Sequence, residues 1–126
     1  MQNASVVSIV DDDESVRLAV KCLVRSLGLT ACTFASAEEF LQSPHVSDTS
    51  CLITDVQLPG MDGLKLQNFV LAQGSSMPII FVTAFPEERL RKRALEAGAI
   101  GFLSKPFNGQ TLITLVDEAL KMRRES

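Results

Sequence analysis

Short apolar runs alternate along the chain with longer segments whose apolar residues recur every three or four positions. The short runs have the length of strands and lie at 6–10, 30–34, 51–56, 78–83 and 99–104. They are rich in Val, Ile, Thr and Phe, and most are continuously apolar, as is typical of strands that helices cover on both faces. The pattern therefore predicts five buried strands in a parallel sheet.

The segments that follow the strands carry helical signals. Residues 14–27 place Val16, Val20 and Val24 on one stripe, and Gly28 follows as a stop. The N-terminal signals of the other four helices are Ser36 with Glu39, Asp62, Pro86 and Asn108. The third helix is expected to face the core with Leu66, Phe69 and Val70.

Five repeats of strand and helix with short connections predict a single domain over residues 1–126, of which 117–126 form the end of the last helix and a tail. Parallel strands joined by right-handed helical crossovers give an α/β fold. We expect a flavodoxin-like three-layer sandwich, with a five-stranded parallel sheet in the order 2-1-3-4-5 and five helices.

Composition narrows the class of protein. With 46% hydrophobic and 21% charged residues, the chain is ordinary for a globular protein and unlike a disordered one. A net charge of −3 disfavours nucleic acid as a direct partner. No apolar run approaches the roughly 18 residues of a membrane span, and no basic-then-apolar leader is present. We therefore expect a cytoplasmic domain with no direct contact to nucleic acid or membrane.

The cysteines do not form a metal-binding pattern. Cys22, Cys32 and Cys51 are widely spaced, and the sole histidine is His45. Without a Cys-x-x-Cys pair, a zinc site is not expected. The cysteines are typical of small apolar residues in a reducing cytoplasm.

Acidic, hydroxyl and basic residues stand where the predicted strands end. Asp11 and Asp12 follow the first strand, and Asp55 ends the third, which neighbours it in the predicted order. Ligands of such sheets bind in the crevice beyond the carboxyl ends of these strands. Three carboxylates there suit Mg²⁺, which offsets their mutual repulsion. Asp13 and Glu14 instead fit the N-terminus of a helix, where negative charge is favourable.

The residues opposite these acids indicate phosphoryl transfer. Thr83 ends the fourth strand and Lys105 follows the fifth, so that a hydroxyl and an ammonium group can contact phosphoryl oxygens. Asp55 is the best placed nucleophile, and it would form an aspartyl phosphate. The segment "LPGMDG" after it supplies the turn residues that let the backbone bend tightly around the site.

Four motifs carry a resemblance to a known family. "VDDDESVR", "LITDVQLPGMDG", "FVTA" and "FLSKPF" occur in this order, each at a predicted strand end. Together they resemble the receiver domain of two-component response regulators over essentially the whole chain. The sequences of these motifs resemble most those of regulators of the nitrogen-fixation and nitrate-response type.

The resemblance implies a function for each of these residues. Asp55 would accept a phosphoryl group from a sensor histidine kinase. Mg²⁺ would be held by Asp11, Asp12 and Asp55 together with the backbone carbonyl of Gln57. Thr83 and Lys105 would contact the phosphoryl group. The switch residues would be Thr83 and Phe102.

The resemblance also implies how the signal leaves the domain. The domain would assist its own phosphotransfer and dephosphorylation without being an enzyme. Phosphorylation would change the face of the fourth helix, fifth strand and fifth helix, strengthen a weak homodimer there, and control a C-terminal DNA-binding output domain outside this chain. The Lys105–Pro106 peptide bond would be cis, as in many such receivers.

Two other functions are open at this level. "IVDDDES" also resembles the opening motif of haloacid dehalogenase-type phosphatases, with Asp11 as nucleophile and Asp13 as acid, although a cap insertion and a later acidic metal motif are missing. A flavin or nucleotide carrier of the same fold would need a glycine-rich phosphate loop, and neither that loop nor any Trp or Tyr is present.

Overall fold

The computed structural model describes residues 5–125, with side chains through residue 122, and strands and helices alternate along this part of the chain. The elements are β1 (Val6–Val10), α1 (Glu14–Ser26), β2 (Thr30–Phe34), α2 (Ala37–Gln42), β3 (Thr49–Asp55), α3 (Gly63–Ala72), β4 (Ile79–Thr83), α4 (Glu88–Glu96), β5 (Gly101–Ser104) and α5 (Gly109–Glu125). The last residue of the predicted tail, Ser126, lies outside the described residues.

The five strands form one parallel sheet in the order β2-β1-β3-β4-β5, which confirms the predicted topology. Val10 at the end of β1 is in register with Thr54 of β3. The next residues along the two strands are Asp11 and Asp55. The register alone therefore brings these two carboxylates side by side at the carboxyl edge of the sheet.

Helices cover both faces of the sheet and bury a separate hydrophobic cluster on each. Successive residues of a strand point to opposite faces, so Leu52 of β3 packs with α2, α3 and α4, whereas Ile53 packs with α1 and α5. Both residues are at most 1% exposed. The apolar runs are continuous because both faces of each inner strand are buried.

Side-chain caps mark most helix starts. The capping side chains are Asp13, which accepts from Ser15 N at 2.8 Å; Ser36, from Glu39 N at 3.1 Å; Asp62, from Lys65 N at 2.8 Å; and Asn108, from Gln110 N at 2.8 Å. The capping box at α2 is displaced by one residue, because the Glu39 carboxylate accepts from Ala35 N at 3.2 Å instead of from Ser36 N.

Two helix predictions are wrong in detail. Pro86 does not lie in the first turn of α4, which begins at Glu88, because Glu87 is still extended and forms the N-cap. Phe69 is 43% exposed and does not face the core. Gln67 is buried instead, and its amide donates to the Ala94 carbonyl of α4 at 3.0 Å.

Within residues 5–125, no helix combines the length and the apolarity that crossing a bilayer requires.

The contribution of the Asp13 cap to stability can be measured separately from the contribution of its charge. Replacing Asp13 by Ala removes the acceptor of the Ser15 amide, and we expect the free energy of unfolding to fall by about 0.5–2 kcal/mol in urea denaturation. Asp13→Ser removes the same charge but keeps a capping oxygen, so it should stay near the wild type. Equal stability of the two variants would show that the cap contributes nothing.

Candidate functional site

Three carboxylates converge at the carboxyl edge of the sheet. Asp11 follows β1, Asp12 comes next, and Asp55 ends β3; one carboxylate oxygen from each lies within 4.8 Å of the others. Asp11 and Asp55 are buried, whereas Asp12 is exposed. Like charges at this separation repel, so the arrangement needs a compensating cation.

Lys105 supplies part of that compensation. Its Nζ donates to Asp11 Oδ2 at 2.8 Å and to Asp55 Oδ2 at 2.7 Å. Its backbone N donates to the Thr83 carbonyl at 2.8 Å, which fixes the residue beside the end of β4. One ammonium group for three carboxylates leaves two negative charges uncompensated, which suits a divalent cation.

Burial and charge act against each other in this cluster. Burial raises the pKa of Asp11, although hydrogen bonds from Lys105 and from the Asp13 backbone oppose the shift. For Lys105, burial lowers the pKa, but hydrogen bonds to Asp11 and Asp55 outweigh it and the pKa is raised. Lys105 therefore remains an ammonium group at neutral pH.

The turn after Asp55 is packed directly on the backbone of that residue. Gln57 N donates to Asp55 Oδ1 at 3.0 Å, and Gly63 N donates to the Val56 carbonyl at 2.8 Å. A Cβ atom on Gly63 would collide with the Asp55 carbonyl oxygen, so only glycine lets α3 begin this close to the strand end. The turn thereby orients the Asp55 carboxylate.

Thr83 and Phe102 lie on β4 and β5, the two strands that follow β3 in the sheet. Thr83 is fully buried at the end of β4, and its hydroxyl accepts from Phe85 N at 3.2 Å. Among the hydrogen bonds of residues 5–122, none joins this hydroxyl to Asp11, Asp12 or Asp55. Phe102 of β5 is half-buried, with its ring centroid 6.2 Å from that of Phe81. The Lys105–Pro106 peptide bond is cis.

Sequence reasoning missed a contact to the acidic loop. Arg17 Nη1 donates to the Asp11 carbonyl at 2.7 Å and holds the connection between β1 and α1. A weak signal exists, because Arg17 lies one helical turn after Asp13 and projects back toward the helix N-terminus. The signal becomes useful only when Asp13 is known to be the cap.

Asp12 and Asp55 line a solvent-accessible cleft. Its other walls are formed by the turn after Asp55, by the connection between β4 and α4, and by one side each of α3 and α4. The lining includes apolar Leu58, Phe85 and Leu90 and the cations Lys65 and Arg93. A reactant can therefore reach Asp55 from solvent.

The donor set fits a hard divalent cation. Carboxylate oxygens are the ligands that Mg²⁺ prefers, and one oxygen from each of the three residues is close enough to share one ion. The same donor set does not suit a soft metal, because no Cys or His belongs to the cluster.

Comparison with known proteins gives a consistent result. A family model described as the response regulator receiver domain matches residues 7–117. Nodulation protein W of Bradyrhizobium diazoefficiens is 41% identical over 96% of this chain and 53% of its own length. Transcriptional regulatory protein FixJ of Azorhizobium caulinodans is 35% identical over 95% of this chain and 57% of its own.

A solved structure agrees with the sequence matches. The low-resolution structure of response regulator StyR has a TM-score of 0.89 and 38% identity, covering 98% of this chain and 62% of that one. The chain thus spans about half the length of the curated relatives that it matches.

The ion pairs of Lys105 can be tested through stability. Lys105→Met leaves the buried carboxylates of Asp11 and Asp55 without their partly buried partner, so we expect the free energy of unfolding to fall by about 1–3 kcal/mol at pH 7 in the presence of a chelator. The pKa of Asp11 is already raised, so its protonation stabilises the fold as the pH falls. The loss should therefore be smaller at pH 5 than at pH 7.

The matched control is Lys65→Met in urea denaturation at both pH values. Lys65 lines the same cleft but forms no ion pair with any side chain that the structure describes, so its loss should change stability by no more than about 0.5 kcal/mol. Equal effects of the two substitutions, or a Lys105 effect independent of pH, would contradict the assignment.

Proposed function

The chain belongs to the response regulator receiver domain family, and on this premise we propose that it is a signalling module that a phosphoryl group on Asp55 switches. The family is one of signalling proteins and not of catalytic enzymes. The observation that supports the proposal best is the convergence of Asp11, Asp12 and Asp55 at an open cleft, where Lys105 pairs with Asp11 and Asp55.

The reaction that this arrangement supports is transfer from the phosphohistidine of a sensor histidine kinase. An Asp55 carboxylate oxygen attacks phosphorus; the new P–O bond forms as the P–N bond breaks, and the imidazole of the donor leaves. Lys105 already lies 2.7 Å from Asp55 Oδ2, so its ammonium group can pair with a phosphoryl oxygen. The domain assists this transfer and the later hydrolysis of its own acyl phosphate.

A magnesium ion completes the proposed site. Asp11, Asp12 and Asp55 would hold it together with the backbone carbonyl of Gln57. When bound, it neutralises charge on the phosphoryl oxygens. The two excess negative charges of the cluster support this part of the proposal.

Thr83 and Phe102 are proposed to transmit the change. The Thr83 hydroxyl, now accepting from Phe85 N, would turn to donate to a phosphoryl oxygen. Phe102 is half-buried beside Phe81, and it would move inward with Thr83. Since Phe carries no hydroxyl, this switch is one of packing only, and it shifts the population of a second surface conformation.

The output of the proposed switch is the surface formed by α4, β5 and α5.

The length of the relatives indicates where the signal goes. The relatives named above include a transcriptional regulator and are nearly twice as long as this chain. We therefore propose that residues 1–126 form one receiver domain of a cytoplasmic regulator, whose activity on DNA lies in an output domain. The domain itself is proposed to contact neither DNA nor membrane.

The phosphatase interpretation loses its support. Asp13, the acid that it requires, is exposed and caps α1 through the Ser15 amide. The matching family is the receiver family.

Covalent labelling tests the phosphoacceptor. Incubated with Mg²⁺ and a small acyl phosphate, the wild type should gain one phosphoryl group in intact-mass spectrometry, and Asp55→Asn should gain none. Asp13→Asn is the control; it removes a nearby carboxylate but keeps a capping oxygen, and it should still be labelled. Labelling that persists in Asp55→Asn would refute the assignment.

Analytical ultracentrifugation tests the proposed dimer. Addition of a phosphoryl mimic with Mg²⁺ should raise the mean mass, and Arg89→Glu on the exposed side of α4 should weaken this association. Arg25→Glu makes the same charge change on α1, away from the proposed face, and should leave it intact. An unchanged mass with the mimic would remove the dimer from the proposal.

A further inference from the structure

Residues 56–62, here called the β3–α3 loop, connect Asp55 to the first turn of α3. At the beginning of the loop Gln57 N and the Val56 carbonyl form hydrogen bonds, and at its end Asp62 caps α3 through Lys65 N. The middle of the loop, residues 58–61, has one hydrogen bond among the described residues. In that bond Met61 N donates to Glu38 Oε2 at 2.9 Å.

We propose that Glu38 is a positioning residue of the phosphorylation site, which acts from α2 by holding the β3–α3 loop in the conformation that presents the Gln57 carbonyl to the metal. The inference rests on the proposed function, since it takes the Gln57 carbonyl as a magnesium ligand. It adds a residue that lies in none of the strand-end motifs and 23 positions away from Met61 in the chain.

The contact between Glu38 and the loop extends over two residues. Besides the Met61 bond, a Cβ atom on Gly60 would collide with Glu38 Oε2, so the carboxylate lies directly against the Gly60 backbone. Gly60 has φ +77°, a conformation that favours glycine. The loop therefore takes a special backbone conformation at the place where Glu38 touches it.

The bond is a charge-assisted one. The hydrogen bond from Met61 N lowers the pKa of Glu38, so the carboxylate is ionised at neutral pH. A carboxylate that accepts from a backbone N–H makes a stronger bond than a neutral acceptor does. The 2.9 Å distance and the ionised carboxylate are therefore both those of a charge-assisted hydrogen bond.

The two neighbouring acidic residues of α2, Glu38 and Glu39, form different hydrogen bonds. Glu39 accepts from Ala35 N and stabilises the start of its own helix. Glu38 reaches out of the helix to the loop, although α2 is already held in the core by Ala37 and Phe40. Replacing Glu38 therefore leaves these apolar anchors of α2 in place while it removes the contact to the loop.

Loss of the tether should reduce metal affinity without abolishing it. A loop that samples other conformations binds the ion only in the competent fraction, so the apparent dissociation constant rises by the inverse of that fraction. For Glu38→Ala we expect an increase of about three- to ten-fold in the Mg²⁺ concentration that gives half-maximal labelling, with little change in the rate at saturating Mg²⁺. Glu38→Gln keeps an acceptor oxygen and should recover most of the affinity.

The experiment compares the wild type with Glu38→Ala, Glu38→Gln and Glu39→Ala. Labelling by acyl phosphate is followed over a Mg²⁺ titration, and amide hydrogen exchange of Met61 is measured by NMR without metal. We expect faster Met61 exchange and the shift in half-maximal Mg²⁺ in Glu38→Ala alone. Glu39→Ala loses a bond of the same helix but does not touch the loop, so it should show neither change.

The outcomes separate this inference from the proposed function. If Glu38→Ala retains the wild-type Mg²⁺ dependence, or if Glu39→Ala shifts it equally, Glu38 has no positioning role and the phosphoacceptor assignment stands. A shift that Glu38→Gln fails to rescue also overturns the inference. If the wild type is labelled without Mg²⁺, or if Asp55→Asn is labelled, both the proposed function and this inference fail.

Discussion

The structure depends on the way three carboxylates are held together against their repulsion. Asp11 and Asp55 are buried side by side because β1 and β3 are neighbours in register, and Asp12 adds a third charge at the same edge. Lys105 compensates one charge through two short hydrogen bonds. The remaining excess of negative charge makes this edge a site that a divalent cation can stabilise. A further charge added there would have a strong effect on the site.

The fold concentrates the charged side chains of the sheet at this edge, whereas the buried polar residues within its strands are hydroxyl residues such as Ser8 and Thr49, which hydrogen-bond to each other at 2.7 Å. Inner strands buried on both faces have no other place for a charged side chain than their ends. The turn around Gly63 then orients the Asp55 carboxylate. The hydrogen bond from Arg17 to the Asp11 carbonyl holds the connection between β1 and α1. The acidic residues thus lie at the ends of rigid strands and in the loops that these strands position.

Most of the fold and the central residues of the site follow from the sequence. Alternating apolar runs predict each strand to within two residues, and the strand order brings Asp11, Asp55 and Lys105 together. Long-range polar contacts are what the sequence does not reveal. Gln67 is buried with a carbonyl partner 27 positions away, and the Glu38 contact with Met61 spans 23 positions. Apolar periodicity carries no information about such partners.

The central claim is that Asp11, Asp12 and Asp55 share one divalent cation. Anomalous diffraction from crystals grown with Mn²⁺ in place of Mg²⁺ tests it most directly, because it locates the ion without reference to any activity. We predict a single strong peak in contact with carboxylate oxygens of these residues, opposite Lys105. A site without a peak at saturating Mn²⁺, or an ion bound only elsewhere on the surface, would contradict the claim.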